Sequence, residues 1–180
     1  KYRNYLLFVL GIELGVLRSC DLLKLRIADV FDGRNCRDVI YGVIEQKTNK
    51  RKNIYITKKA QEAIMLYLSH RKYKSLNEPL FLSQKGNQLS TRQARDILNK
   101  AAKEIGISYP VAMHTLRKTW GYHTLLNHKN DNMALIDVMR SYKHTSPEVT
   151  LRYIGYEEDH RRALSMDFEV GRTPYWNMLS

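Results

Sequence analysis

Arginine, lysine, histidine and tyrosine recur in this sequence at spacings suited to one kind of chemistry, the transfer of a phosphoryl group onto a protein side chain. That reaction needs a nucleophile, cations around the two non-bridging oxygens and an acid for the departing oxygen. Metal ions can supply the positive charge, but the sequence has no carboxylate cluster, no HExxH and no paired Cys and His. The task then falls to side chains. His114-Thr115-Leu116-Arg117 puts an imidazole and a guanidinium at i and i+3, one face of a helix. Arg18 and Asp21 repeat that spacing, and Leu17, Leu22 and Leu25 around them predict a partly buried arginine paired with Asp21. Lys47 opens a basic stretch, Gln46-Lys47-Thr48-Asn49-Lys50-Arg51-Lys52, that reads as a hairpin turn. His144 and Tyr153 lie nine residues apart across Ser146-Pro147. Singly, each has an ordinary reading: a solvated helix face for HxxR, a surface salt bridge for Arg18 and Asp21, a solvated charge for Lys47. With twelve tyrosines in the chain, one taken alone signals nothing.

These residues can act together only if the fold places them. Leu6, Leu7, Leu10, Leu14 and Leu17 recur at helical spacing and predict an amphipathic helix from Tyr2 to Leu17. A short helix carrying Arg18, Asp21, Leu22 and Leu25 should follow. Val39-Ile40-Tyr41-Gly42-Val43-Ile44 and Asn53-Ile54-Tyr55-Ile56 are rich in β-branched and aromatic residues. With Ile27 to Phe31 as a first strand and Asp32-Gly33 as a turn, they predict a three-stranded antiparallel sheet whose second turn holds Lys47. Ala60, Ile64, Tyr67 and Leu68 mark a helix. Ala94, Ile97, Leu98, Ala101 and Ile105 mark another, with a capping-box start at Ser90-Thr91-Arg92-Gln93 and Gly106 as its stop. A helix from Ala112 to Asn127 carries HxxR, the polar stretch His128 to Asn132 interrupts it, and a shorter apolar helix runs from Met133 to Met139. Ser146-Pro147-Glu148 combines a cap, a first-turn proline and an acid at the positive end of the dipole, with Tyr153 about two turns in. The expected fold is mainly α with a small three-stranded antiparallel sheet, an α+β domain.

Composition agrees with such a domain and with an anionic partner. The chain has 180 residues, 43% hydrophobic, and 30 Lys and Arg against 18 Asp and Glu, a net charge of +12 at pH 7. An excess of that size favours a polyanion, although a ribosomal or membrane-surface protein would also be basic. No run of four consecutive basic residues occurs, so the charge is not that of a disordered basic tail. Cys20 and Cys36 stand alone, which reads as free thiols in a reducing compartment. No signal peptide and no apolar run long enough to span a membrane is visible. The chain opens at Lys1 inside a helical pattern, so an N-terminal part is expected to be missing. The segment from Asp159 to Ser180 holds Phe168, Tyr175 and Trp176, which are expected to dock on something.

Taken in order, Arg18, Lys47, His114-x-x-Arg117, His144 and Tyr153 resemble the tyrosine recombinase (phage integrase) family, specifically its catalytic domain, over roughly Tyr5 to Tyr156. The family pattern is an Arg with an acid three residues on, a Lys in a strand turn, HxxR, a His or Trp, and a Tyr nine residues later. The resemblance implies the integrase catalytic-domain fold over residues 1–158. It also implies a tail over 159–180 that docks in cis or on a neighbouring protomer through Phe168 and Trp176, and an N-terminal core-binding domain outside this fragment. It implies that Tyr153 attacks the scissile phosphate, leaving a 3′-phosphotyrosine and a free 5′-hydroxyl. His114 would accept the phenolic proton or a hydrogen bond. Arg18 and Arg117 would hold the non-bridging oxygens, Lys47 would protonate the leaving oxygen, and His144 would donate to the phosphate. Asp21 would hold Arg18 or His114 in place, and Lys50, Arg51 and Lys143 would contact DNA. No cofactor is implied, neither metal nor ATP, because one phosphate ester is exchanged for another. The implied partners are double-stranded DNA, three further copies in a homo-tetramer on two DNA sites when full length, and accessory DNA-bending or directionality proteins, with no membrane. The implied setting is the cytoplasm, at the nucleoid, for a bacterial or phage-encoded enzyme that integrates or excises a mobile element. A type IB topoisomerase shares this chemistry, and a catalytically inactive DNA-binding module could keep the fold. A plain RNA-binding protein fits less well, since no RNP-like motif is present.

The sequence departs from the family pattern at three places. Members usually have glycine two residues before the first arginine; here Val16 takes that place and Gly15 stands one earlier. Members often read Leu-Gly-His before the penultimate position, and here it is Tyr142-Lys143-His144. A side chain in place of a positive-φ glycine costs roughly 1 kcal/mol, so the turn before His144 is expected to differ in shape. The stretch from Asn127 to Asn132 makes the Arg117-to-Tyr153 interval a few residues longer than usual.

Overall fold

In the computed structural model of the chain, residues 1–44, 51–129 and 131–166 are described. They divide into two compact units, the first Lys1–Asn127 and the second beginning at His128.

The first unit is built around helix α1 (Tyr2–Glu13). Leu6, Leu7 and Leu10 are wholly buried, each worth about 1.5–3 kcal/mol of burial. The helix stops short of the predicted Leu17. Gly15 N–H instead donates to Ile12 O and Leu17 N–H to Leu14 O, so the chain turns tightly while Leu14 and Leu17 stay in the core. Arg18 is then the N-cap of α2 (Ser19–Leu23), in extended backbone.

Ile27 to Phe31 is not the predicted first strand. Ile27–Val30 forms a single helical turn, α3, and the described residues contain a two-stranded sheet. The cause is local. Asp29 turns its carboxylate back to accept from the Arg26 backbone N–H at 2.7 Å, which fastens a helical start. Burial follows a helical period: Ile27 and Val30 are fully buried, whereas strand alternation would have put Asp29 inside with Ile27. The predicted Asp32-Gly33 turn is present, closed by an isolated antiparallel bridge between Phe31 and Cys36.

Strands β1 (Val39–Ile44) and β2 (Arg51–Tyr55) pair antiparallel, with Ile40 opposite Ile54 and Ile44 opposite Arg51. Register shifts between Ile40 and Val43. The extra residue is accommodated by Gly42 at φ +64°, whose N–H is taken up by Asn53 Oδ1 at 3.2 Å. Ile40 and Ile54 face the core, and Tyr41 and Tyr55 face outward.

Helices α4 (Lys58–Ser69), α5 (Thr91–Glu104) and α6 (Met113–Asn127) pack around α1. The predicted capping box opens α5: Ser90 Oγ accepts from Gln93 N–H and Gln93 Oε1 accepts from Ser90 N–H. Gly106 follows it at φ +82°. The second unit holds α7 (Asn132–Tyr142), α8 (Pro147–Ile154) and α9 (Tyr156–Met166). Ser146 caps α8, accepting from Val149 N–H. The predicted tail is thus helical as far as Met166; Phe168, Tyr175 and Trp176 lie outside the described residues. No helix among the described residues is long and apolar enough to cross a membrane.

Candidate active site

In the first unit, α6 begins at Met113, so His114 and Arg117 occupy its first turns. Arg117 Nη1 donates to the Gly15 carbonyl at 2.7 Å. That bond is possible because the turn after α1 lies directly on α6: a Cβ at Gly15 would overlap Trp120, and one at Gly11 would come within 2.5 Å of Leu116 Cδ1. Gly11 on α1 and Gly15 in the turn after it therefore let this segment approach Leu116 and Trp120 of α6. The result ties one guanidinium to the backbone three residues before the other predicted arginine.

Arg18 is half-buried and makes no ion pair or side-chain hydrogen bond with another described residue. The expected pairing with Asp21 is absent. Arg18 sits at the N-cap in extended backbone, so the helical i,i+3 geometry that would join it to Asp21 does not apply. Asp21 is itself buried and accepts from Cys20 Sγ at 3.7 Å; it is bonded to neither Arg18 nor His114.

The His114 pKa is lowered, first by burial of its ring, although the residue as a whole is exposed, and then by the charges of Lys118 and Arg117. The imidazole is therefore biased toward its neutral, proton-accepting form at pH 7. Beside it lies a concavity of about 500 Å³ lined by Ser19, Thr91, Arg92, Arg95, Ala112 and Met113. Two guanidinium groups and two hydroxyls border it, with no acidic side chain among its lining. Sequence reading placed Arg92 only in the capping-box start of α5 and did not single out Arg95. Their i,i+3 spacing was the available signal.

In the second unit, three rings gather at the α7–α8 turn. His144 and Tyr153 meet edge to face with centroids 5.0 Å apart, and Tyr142 lies 5.4 Å from His144 and 5.3 Å from Tyr153. His144 Nδ1 is 3.1 Å from Thr150 Oγ1. Thr150 is fully buried and its hydroxyl also donates to the Ser146 carbonyl at 3.3 Å, so this contact anchors the ring. Sequence reading missed Thr150; its place between His144 and Tyr153, one helical turn before the tyrosine, was the available hint. The turn itself does not differ in shape as expected. Lys143 adopts φ +61°, ψ +40°, the left-handed conformation a glycine would take there. Its N–H donates to Arg140 O, and His144 N–H to Met139 O, a helix-ending pattern that requires such a residue.

Lys47 and Lys50 lie outside the described residues, and Arg51 is exposed at the start of β2. The structure therefore places His114, Arg117 and Arg18 in one unit and His144, Lys143 and Tyr153 in the other.

A mainly helical unit with one small antiparallel sheet, and this set of basic, imidazole and phenol groups, define the class of tyrosine recombinase catalytic domains. The fold is shared with the solved XerA recombinase (TM-score 0.67, 23% identity, covering 86% of this chain and 52% of that one). It is shared also with XerH bound to its difH substrate (TM-score 0.63, 22% identity, 84% and 42%). The sequence model described as "Phage integrase family" matches residues 1–160, and the chain belongs to that family of tyrosine-type site-specific recombinases. A Bacillus subtilis protein named "Probable integrase/recombinase YoeC" is 36% identical over 162 residues, 89% of this chain and 82% of its own length. The tyrosine recombinase XerC of Thermodesulfovibrio yellowstonii is 38% identical over 119 residues, 61% of this chain and 37% of its own. The chain spans about half the length of several XerC proteins it matches.

Proposed function

We propose that this chain is the catalytic domain of a site-specific DNA recombinase that breaks and rejoins strands through a 3′-phosphotyrosine intermediate, in the integration or excision of a mobile element. The observation that carries the reading is the packing of the Tyr153 ring against His144, in a chain of this family that also holds HxxR at the start of α6. A half-buried Arg18 with no partner among the described side chains supports it, since a buried guanidinium calls for an anion.

The mechanism follows from ordinary acidities. A phenol with a usual pKa of about 10 needs a base, and neutral His114 takes its proton as the Tyr153 oxygen bonds to phosphorus. Arg18 and Arg117 hold the two non-bridging oxygens, where planar guanidinium groups fit. Arg117 arrives already oriented by the Gly15 carbonyl. His144 donates a hydrogen bond to the phosphate. The bond from phosphorus to the 5′ oxygen breaks, and Lys47 supplies the proton to that oxygen. A 5′-hydroxyl from another strand then reverses each step. Ester is exchanged for ester, so neither ATP nor metal takes part.

Arg51, Lys50, Lys143 and the concavity with Arg92 and Arg95 serve the flanking backbone of double-stranded DNA. Asp21 acts on Arg18 through the fold rather than by a direct bond. The full-length protein works as a homo-tetramer on two DNA sites in the bacterial cytoplasm. The deciding experiment is a trapping assay on nicked DNA with Tyr153→Phe: binding should persist and the covalent adduct should vanish. An adduct at the wild-type level in that variant ends the proposal. Two-site recombination run beside plasmid relaxation separates recombinase from topoisomerase action.

A further inference from the structure

The Tyr153 ring packs against two other rings, and the proposed chemistry uses one of them, His144. The other belongs to Tyr142, the last residue of α7, which is buried and lies 5.3 Å from Tyr153 and 5.4 Å from His144 between centroids. The planes meet at 71° and 66° at Tyr142, and at 70° between His144 and Tyr153. Each ring thus meets the other two edge to face, an arrangement that aromatic quadrupoles favour. Tyr142 and His144 stand on either side of Lys143, whose left-handed backbone turns the chain between them. Both rings thereby come to the same phenol.

A tyrosine side chain turns about two bonds. Packing on His144 alone leaves the ring able to pivot about that contact, and a second ring set at an angle to the first removes the pivot. In-line attack on phosphorus needs the oxygen held close to its reacting position. Family members often have leucine at this place, which fills space but offers no ring. A residue that served only to pack α7 on α8 would not have to be aromatic.

We propose that Tyr142 is a positioning residue for the nucleophile: its ring, with that of His144, holds the phenol of Tyr153 for attack on the phosphate. This rests on the reading of Tyr153 as the nucleophile and adds a residue to it.

Tyr142→Leu keeps an apolar side chain and deletes the ring. Tyr142→Phe keeps the ring and deletes the hydroxyl. Tyr142→Met, with a flexible side chain that adapts to the space, replaces the leucine variant if that one does not fold. Measured for each are thermal unfolding, affinity for nicked DNA, single-turnover adduct formation at saturating DNA, and the NMR signals of the Tyr153 ring, assigned by their absence in Tyr153→Phe. Rates are taken below the lowest melting temperature, so that they report folded protein. Tyr142→Leu should melt lower, since a buried ring is lost. It should form adduct roughly 2–10-fold more slowly, the worth of one aromatic pair, with DNA affinity unchanged. Its Tyr153 signals should move toward those of an unpacked tyrosine. Tyr142→Phe should keep those signals and recover most of the rate.

A rate in Tyr142→Leu equal to or above wild type overturns the inference, because the ring is then only filler. So does a rate loss in Tyr142→Phe as large as in Tyr142→Leu, which assigns the effect to the hydroxyl, or a rate loss matched by an equal loss of DNA affinity. Tyr153→Phe, assayed alongside, tells the failures apart. Wild-type adduct in that variant removes the nucleophile itself, whereas adduct absent there and unchanged in Tyr142→Leu removes this inference alone.

Discussion

Arg117 and Gly15, 102 residues apart in sequence, are joined by a 2.7 Å hydrogen bond from a guanidinium to a backbone carbonyl. The bond exists because Gly15 has no Cβ to strike Trp120. One glycine thereby sets both the packing of α1 on α6 and the bearing of an arginine proposed to hold a phosphate.

Gly15→Ala should therefore act on stability and activity together. A methyl group at this position overlaps the Cβ and Cγ of Trp120, and forced overpacking costs about 1–3 kcal/mol. Relief requires the turn to withdraw from α6, which loosens the Arg117 bond. The variant is expected to melt lower and to form adduct more slowly than wild type, even where circular dichroism shows it folded. Trp120→Ala in the same background should recover little of the melting temperature, because the nearest overlap is with the Trp120 Cβ that alanine keeps. A Gly15→Ala protein with wild-type adduct rate would show that the Arg117 anchor is dispensable.

The elements that hold these residues were largely legible in the sequence because their signals are local. Ser90 to Gln93 and Ser146-Pro147 fix helix starts through hydrogen bonds and φ preferences within four residues, and both starts occur where the pattern puts them. Ile27 to Phe31 misled because its β-branched content outweighed one carboxylate, Asp29, whose reach back to Arg26 N–H decides for a helical turn. The site's supports were hidden for a different reason. Gly15 under Trp120, Thr150 behind His144 and the Arg92–Arg95 edge of the His114 concavity depend on which chain segments meet in space. Asp21 failed as Arg18's partner because the spacing implies a shared face only inside a helix, and Arg18 stands just outside one.

Thr150→Val tests the support behind His144. The replacement keeps the volume of a fully buried side chain and deletes the hydroxyl that lies 3.1 Å from Nδ1. That hydroxyl gives its own hydrogen to the Ser146 carbonyl at 3.3 Å and so accepts from Nδ1, which holds the orientation of the ring. Without it the ring loses that anchor. Adduct formation is expected to fall by roughly 2–10-fold, the worth of one net hydrogen bond, while DNA affinity changes little. Thr150→Ser, which restores the hydroxyl, should return most of the rate. Equal single-turnover rates for wild type and Thr150→Val would remove Thr150 from the orienting role.

The acid side of the pH–rate profile tests His114. Its pKa is lowered by burial of the ring first, then by Lys118 and Arg117. As pH falls, the unfolded chain therefore takes up the proton before the folded one does. The stability this group contributes is present above the unfolded value of about 6.5 and is lost as pH drops through the lower folded value. The same order applies to catalysis by a neutral base: single-turnover adduct formation should stay level down to about pH 6.5 and fall only below it. Lys118→Gln removes one of the charges that repel the proton, so the fall should begin at a higher pH with the plateau kept. His114→Gln should abolish that acid limb and lower the plateau by about 10²–10⁴-fold. An acid limb that does not move in Lys118→Gln would show that this lysine's charge is not felt at His114, and a limb that survives in His114→Gln would assign the proton acceptor to another group.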